Sequence, residues 1–109
     1  MNHNINDTLL KKAAALGDAL KAHDYQITAA ESCTGGLFLS TLTDMAGSSA
    51  YVQGGVVTYS NEAKQRLIGV REQTLIDYGA VSEQTAREMV IGVCDLFAVS
   101  VGVSITGIA

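Results

Sequence analysis

Apolar residues along the 109-residue chain follow two rhythms, one with a helical repeat and one with a strand repeat. Leu9, Ala13, Leu16 and Leu20 recur at helical spacing, with Asp7 or Thr8 placed to cap the helix and His23-Asp24 to end it. Gly17 weakens that helix locally. Gln26 to Glu31 reads as a strand. A largely apolar helix follows from about Gly36 to Met45, then a turn-rich break at Ala46-Gly47-Ser48-Ser49. Gly55-Val56-Val57-Thr58-Tyr59 reads as a second strand, after which Ser60 or Asn61 caps a short helix through Leu67. A further short helix is predicted from about Arg71 to Tyr78, closed by Gly79 as a left-handed cap. Ser82 then caps a longer helix with apolar positions at Ala86, Met89, Val90, Val93, Cys94 and Phe97.

The last predicted strand, Ala98 to Thr106, alternates cleanly. Val99, Val101, Val103 and Ile105 point one way, and Ala98, Ser100, Gly102 and Ser104 the other. One face is bulky and the other small rather than charged, so neither is built for solvent. Such a strand belongs in a sheet covered on both faces, the small face letting a helix approach closely. Strands alternating with helices define an α/β class, a three-layer α/β/α domain with a mostly parallel or mixed sheet. Residues 1–7 read as an N-terminal tail and 8–109 as one domain. Three strands leave sheet edges open, and Thr106-Gly107-Ile108-Ala109 reads as a strand end entering a loop, so the domain is expected to be incomplete at its C-terminal end. The open edges also make a homo-oligomer the expected assembly.

Composition narrows the class of partner. Apolar residues make up 48 % and charged residues 17 %, which suits a folded domain and not a disordered polymer. A net charge of −4 argues against nucleic-acid binding through a broad basic surface. No apolar run approaches the ~20 residues that span a bilayer, and the N-terminus lacks a signal-peptide pattern, so a soluble, cytoplasmic protein with no membrane partner is expected. Cys33 and Cys94 form no CxxC pair, which points to free thiols in a reducing compartment. No group of carboxylates or histidines has metal-site spacing, so neither a metal nor a cofactor is expected. His3 and His23 have no flanking nucleophile or ligand set and are read as incidental.

Candidate chemistry gathers at two strand ends. Ala30-Glu31-Ser32-Cys33-Thr34-Gly35-Gly36 sets a hydroxyl at the end of the first strand before a Thr-Gly-Gly turn into a helix. Such a turn can present a nucleophile beside unpaired backbone N–H groups able to hold an oxyanion or a phosphate. The same residues also suit an ordinary strand-to-helix turn with Thr34 as N-cap. The second cluster is Thr58-Tyr59-Ser60-Asn61-Glu62-Ala63-Lys64, with Tyr59 at a strand end and Lys64 in the first turn of the next helix. Lys64 is either a surface lysine or a general base. Bringing a lysine pKa from ~10.4 to near 7 takes roughly 4–5 kcal/mol against the charge. The helix dipole supplies only about 0.3–1 kcal/mol of that at an exposed site. Burial or a second cation must therefore supply the rest. If the two strands are parallel neighbours, Ser32, Tyr59 and Lys64 share the crevice at their carboxyl ends. Ser32 is then the nucleophile, Lys64 its base, and Tyr59 a proton relay or a positioner of the lysine. Glu31 should point to the face opposite Ser32 unless the strand bends there.

Taken together with Ala46-Gly47-Ser48-Ser49, Gly79-Ala80-Val81-Ser82-Glu83 and Thr106-Gly107-Ile108-Ala109, the two clusters resemble the CinA C-terminal domain family, from about residue 8 onward. The resemblance implies a nicotinamide-nucleotide amidase that converts nicotinamide mononucleotide to nicotinate mononucleotide and ammonia. Carried over residue by residue, it implies Ser32 as nucleophile with Tyr59 and Lys64 as partners. Glu31, Cys33, Thr34, Gly35, Gly36, Asn61, Thr106 and Gly107 become candidate contacts to the nucleotide substrate. The family continues past Thr-Gly-Ile-Ala into a Gly/Pro-rich loop, a natural phosphate holder. The alternative implied function is a non-catalytic nucleotide-binding or regulatory homologue.

Overall fold

In the computed structural model the structure describes residues 7–108. The tail expected over residues 1–7 therefore lies outside the described residues except for Asp7, as do His3 and Ala109. Asp7 opens helix α1 (Asp7–His23), followed by strand β1 (Ile27–Glu31) and helix α2 (Leu37–Thr43). A single 3-10 turn at Ser48–Ala50 leads into strand β2 (Val52–Val57) and helix α3 (Asn61–Ile68). Helices α4 (Glu72–Tyr78) and α5 (Glu83–Phe97) and strand β3 (Val101–Ile105) complete the order.

The three strands form one parallel sheet in the order β2-β1-β3. Right-handed crossovers explain why the helices divide between its two faces. The chain steps from β1 to β2 in one direction, then crosses back over β1 to reach β3, which puts the second set of helices on the opposite side. On one face Ala13 and Leu20 of α1 and Leu42 of α2 pack with Ile27 and Tyr51. On the other, Ile68 of α3, Val70, and Met89 and Val93 of α5 pack with Ala30. The architecture is the three-layer α/β/α expected from the alternation, with the sheet wholly parallel.

Several local signals act as their chemistry predicts. Ser60 accepts a hydrogen bond from the Ala63 N–H at 3.0 Å, and Ser82 one from the Thr85 N–H at 3.1 Å, each starting a helix. The two-faced strand β3 sends Val101 and Val103 into the α1/α2 core. Its small side admits α5: a Cβ on Gly102 would collide with the Cys94 sulfur, and the Ser104 hydroxyl donates to the Ala86 carbonyl at 2.7 Å.

Several boundaries differ from the sequence expectation. Strand β2 begins at Val52, because Val52 pairs with Ile27 and a bulge then brings Gly54 opposite Thr28. Glycines depress strand propensity, but a Cβ on Gly55 would sit 2.7 Å from the Ala29 carbonyl oxygen and overlap Leu39, so packing selects glycine there. Strand β3 is shorter than predicted at its start, since Ala98 takes a left-handed φ of 54° as the C-cap of α5 and the Val99 N–H donates to the Cys94 carbonyl. Gly79 closes α4 with a positive φ of 78° but a ψ of 171°, outside the left-handed helical well. Among the described residues no helix is long and apolar enough to cross a membrane.

Candidate active site

From the carboxyl ends of β1 and β2 the chain leaves for helices on opposite faces, α2 and α3, and parallel sheets open a crevice at such a point. Ser32 and Cys33 leave the end of β1 there, and Thr106 and Gly107 leave β3. With Lys64 and Tyr59 they line a cavity of about 370 Å³. Strands β1 and β2 are parallel neighbours with Glu31 opposite Val57, so the two clusters read from the sequence meet at one end of the sheet.

Lys64 dominates the site. Its side chain is 1 % exposed, and its Nζ donates to Ser32 Oγ at 3.0 Å. The same nitrogen donates to the Thr58 carbonyl at 2.8 Å and approaches the Tyr59 carbonyl at 3.5 Å. Among the described residues no carboxylate forms an ion pair with it. Burial pushes the Lys64 pKa below its ordinary value, with neighbouring Cys33 acting in the opposite sense. The helix places this residue well: α3 starts at Asn61, and its first turn carries Lys64 inward while Asn61, Glu62 and Arg66 stay in solvent.

Ser32 is 6 % exposed and held at the base of the cavity by the lysine. Tyr59 contributes through its backbone, since its side chain is 70 % exposed at the rim. Thr106 donates its hydroxyl to the Ala80 carbonyl at 2.8 Å, tying the end of β3 to the segment before α5. Asn61 sits at the exposed start of α3 and does not line the cavity. Gly35 and Gly36 also lie outside its lining; they take φ values of 61° and 111° in the turn that leads into α2.

The turn at residues 32–36 departs from the expected Thr34 cap. Thr34 is not the N-cap of α2: that position is Gly36, and no side chain within the turn caps the helix. The cap comes from Glu31. Its carboxylate is fully buried and points to the α2 face, opposite Ser32. Oε1 accepts from the Thr34 hydroxyl at 2.7 Å, the Gly36 N–H at 3.1 Å and the Phe38 N–H at 3.0 Å. Oε2 accepts from the Leu39 N–H at 2.9 Å. The start of α2 is thus consumed internally, and the Gly35 N–H is taken by the Ser32 carbonyl at 3.1 Å. Of the N–H groups from Cys33 to Gly36, those of Cys33 and Thr34 keep no hydrogen bond to a described residue.

Sequence reasoning missed the Thr58 carbonyl, which no residue-type pattern can reveal because any residue there offers the same oxygen. It also missed Ala80 and Ile108 on the cavity wall, whose apolar side chains carry no chemical signal.

Residues 9–109 match the family described as the CinA C-terminal domain. A protein of Enterobacter agglomerans named nicotinamide-nucleotide amidohydrolase PncC is 55 % identical over 94 residues, 86 % of this chain and 57 % of that protein. A protein of the same name from Escherichia coli strain K12 is 52 % identical over 101 residues, 93 % of this chain and 61 % of that protein. Among solved structures, the competence/damage inducible protein CihA from Agrobacterium tumefaciens superposes with a TM-score of 0.89 at 39 % identity, covering 99 % of this chain and 65 % of that one. The chain spans about three fifths of the length of these curated relatives. It belongs to the CinA C-terminal domain family.

Proposed function

We propose that this site hydrolyses the carboxamide of nicotinamide mononucleotide to nicotinate mononucleotide and ammonia, through an acyl-enzyme on Ser32. The observation that carries the reading is the buried Lys64, ion-paired to no carboxylate among the described residues and aimed at Ser32 Oγ from 3.0 Å. A lysine tied into a salt bridge is a poor proton acceptor; one desolvated without a counter-charge is poised to act as a base. The relatives' name supplies the substrate class.

In this mechanism neutral Lys64 takes the Ser32 hydroxyl proton as Oγ attacks the carboxamide carbon. The Cys33 and Thr34 N–H groups, which have no other partner among the described residues, receive the oxyanion of the tetrahedral intermediate. Collapse breaks the C–N bond, and the Lys64 ammonium returns the proton to the departing amine, releasing ammonia. Water then attacks the acyl ester, gives its proton to Lys64 and so to Ser32 Oγ, and frees the carboxylate. Tyr59 holds the lysine through its carbonyl and lines the rim with its ring. Thr106 and Gly107 line the cavity wall facing the substrate.

The test is ammonia release from nicotinamide mononucleotide. Ser32→Ala should fall to background, and Lys64→Ala should lose about 100- to 10,000-fold in rate, the usual worth of a general base. Turnover undiminished in Ser32→Ala overturns the mechanism. Nucleotide binding by calorimetry without ammonia release selects the non-catalytic alternative instead.

A further inference from the structure

A carboxylate buried in an apolar layer is costly unless both of its oxygens find donors. Among the described residues Glu31 meets that condition with four donors and no ion-paired cation, and all four donors belong to the segment Thr34–Leu39 just beyond Ser32. We propose that Glu31 is a positioning residue for the nucleophile: by anchoring the start of α2 from beneath, it holds the 32–36 turn in one shape, keeps the Cys33 and Thr34 N–H groups unpaired, and aims Ser32 Oγ at Lys64. The inference rests on the reading of Ser32 as a nucleophile.

The geometry argues for this role over that of a plain helix cap. A 7-residue helix such as α2 could be capped locally by a Ser, Thr or Asp at its own N-cap, at less desolvation cost. Here Gly36 occupies the N-cap, and the capping oxygens come from the strand residue adjacent to Ser32. Strand and helix are thereby joined through one side chain on either side of the turn. A local cap would fix α2 but leave the turn free to close its own N–H groups onto Thr34 or Ser32 oxygens. Glu31 also faces away from the cavity, so its effect on the reaction must pass through the backbone of residues 32–36.

Glu31→Gln is the informative substitution. An amide keeps the shape but has one acceptor oxygen, so if that oxygen replaces Oε1, an NH₂ faces the Leu39 N–H and one anchor is lost. The readout is acylation of Ser32 by a fluorophosphonate probe, followed by intact mass and peptide mapping. The maximal labelling rate should fall about 100-fold, as for small misplacements of a reacting group, while the probe's half-saturating concentration stays near wild type. The pH midpoint of labelling, set by Lys64, should not move. Thr34→Val, which removes only the hydroxyl donor, should give a smaller fall in the same rate.

If wild type is not labelled at Ser32, the nucleophile reading itself fails and the proposal falls with it. If wild type is labelled and both variants, shown folded by circular dichroism, react at the wild-type rate, Glu31 is only a helix cap. A shifted pH midpoint likewise overturns the proposal, since it would mean that Glu31 acts on the charge of Lys64. Should Glu31→Gln fail to fold, Thr34→Val decides: slowed labelling in a folded protein supports positioning, and unchanged labelling refutes it.

Discussion

Lys64 is a single residue whose setting has two measurable consequences, one for reactivity and one for stability. Because burial depresses its pKa in the folded state, the unfolded chain binds more protons between that lowered value and the ordinary lysine pKa of about 10.4. Stability contributed by this position therefore rises with pH across that window and levels off above it. Each unit of depression is worth about 1.4 kcal/mol. Lys64→Met also loses the hydrogen bonds to Ser32 and Thr58, so the absolute change in stability is a balance of terms. The pH dependence of the difference is not. Urea unfolding at a series of pH values up to about 10 should show wild type gaining on Lys64→Met once the pH exceeds the lowered folded-state pKa. A difference that stays flat with pH would mean the lysine is charged in the folded protein throughout.

At the scale of elements, the segment entering α4 is tied to α5 by one carboxylate. Glu88 accepts from the Arg71 N–H at 2.9 Å and the Thr74 hydroxyl at 2.6 Å, with the Arg71 guanidinium 3.4 Å away. These bonds lower its pKa, led by the Arg71 backbone N–H and then the Thr74 hydroxyl. A depressed carboxylate contributes stability above its unfolded pKa and loses it as pH falls through the folded value. Glu88→Gln should destabilise the chain by about 1 kcal/mol at neutral pH, with the gap to wild type closing as acid protonates Glu88. Thermal melts at neutral pH and below about pH 4 make the comparison. The caps at Ser60 and Ser82 were legible because they depend on residues three apart. The Glu88 tie spans 17 residues and depends on how two helices dock, which no local spacing encodes.

For the whole molecule, α5 is the element that holds the second face of the sheet together. It packs on all three strands and on α3 and α4, and Met89 and Val93 are fully buried at its centre. Met89→Ala removes a side chain from that layer and should cost about 2–5 kcal/mol, the range for large-to-small changes in a packed core. A lowered urea midpoint with unchanged slope is the expected result. A loss below about 1 kcal/mol would mean that the layer relaxes around the gap. The same layer carries Ile68 at the end of α3, so weakening it also loosens the helix that delivers Lys64 to Ser32.

Sequence alone determined what short-range chemistry dictates: the alternation of strands and helices, the serine caps, the two-faced β3, and the clusters around Ser32 and Lys64 at strand ends. Each of these is written within a few residues. Tertiary structure decided what depends on segments brought together from a distance. The pairing of Val52 with Ile27 moved the start of β2, and the approach of Leu39 to Gly55 explained a glycine inside a strand. Folding buried Lys64 with no ion-paired carboxylate among the described residues, and the Thr58 carbonyl completed its partners. Glu31 reached forward to Leu39, which settled which N–H groups of the turn remain open. The turn's residue types permit either a capped helix or an open anion site. The side chain arriving from the strand beneath selects between them, because a buried carboxylate must find its donors and these were the nearest.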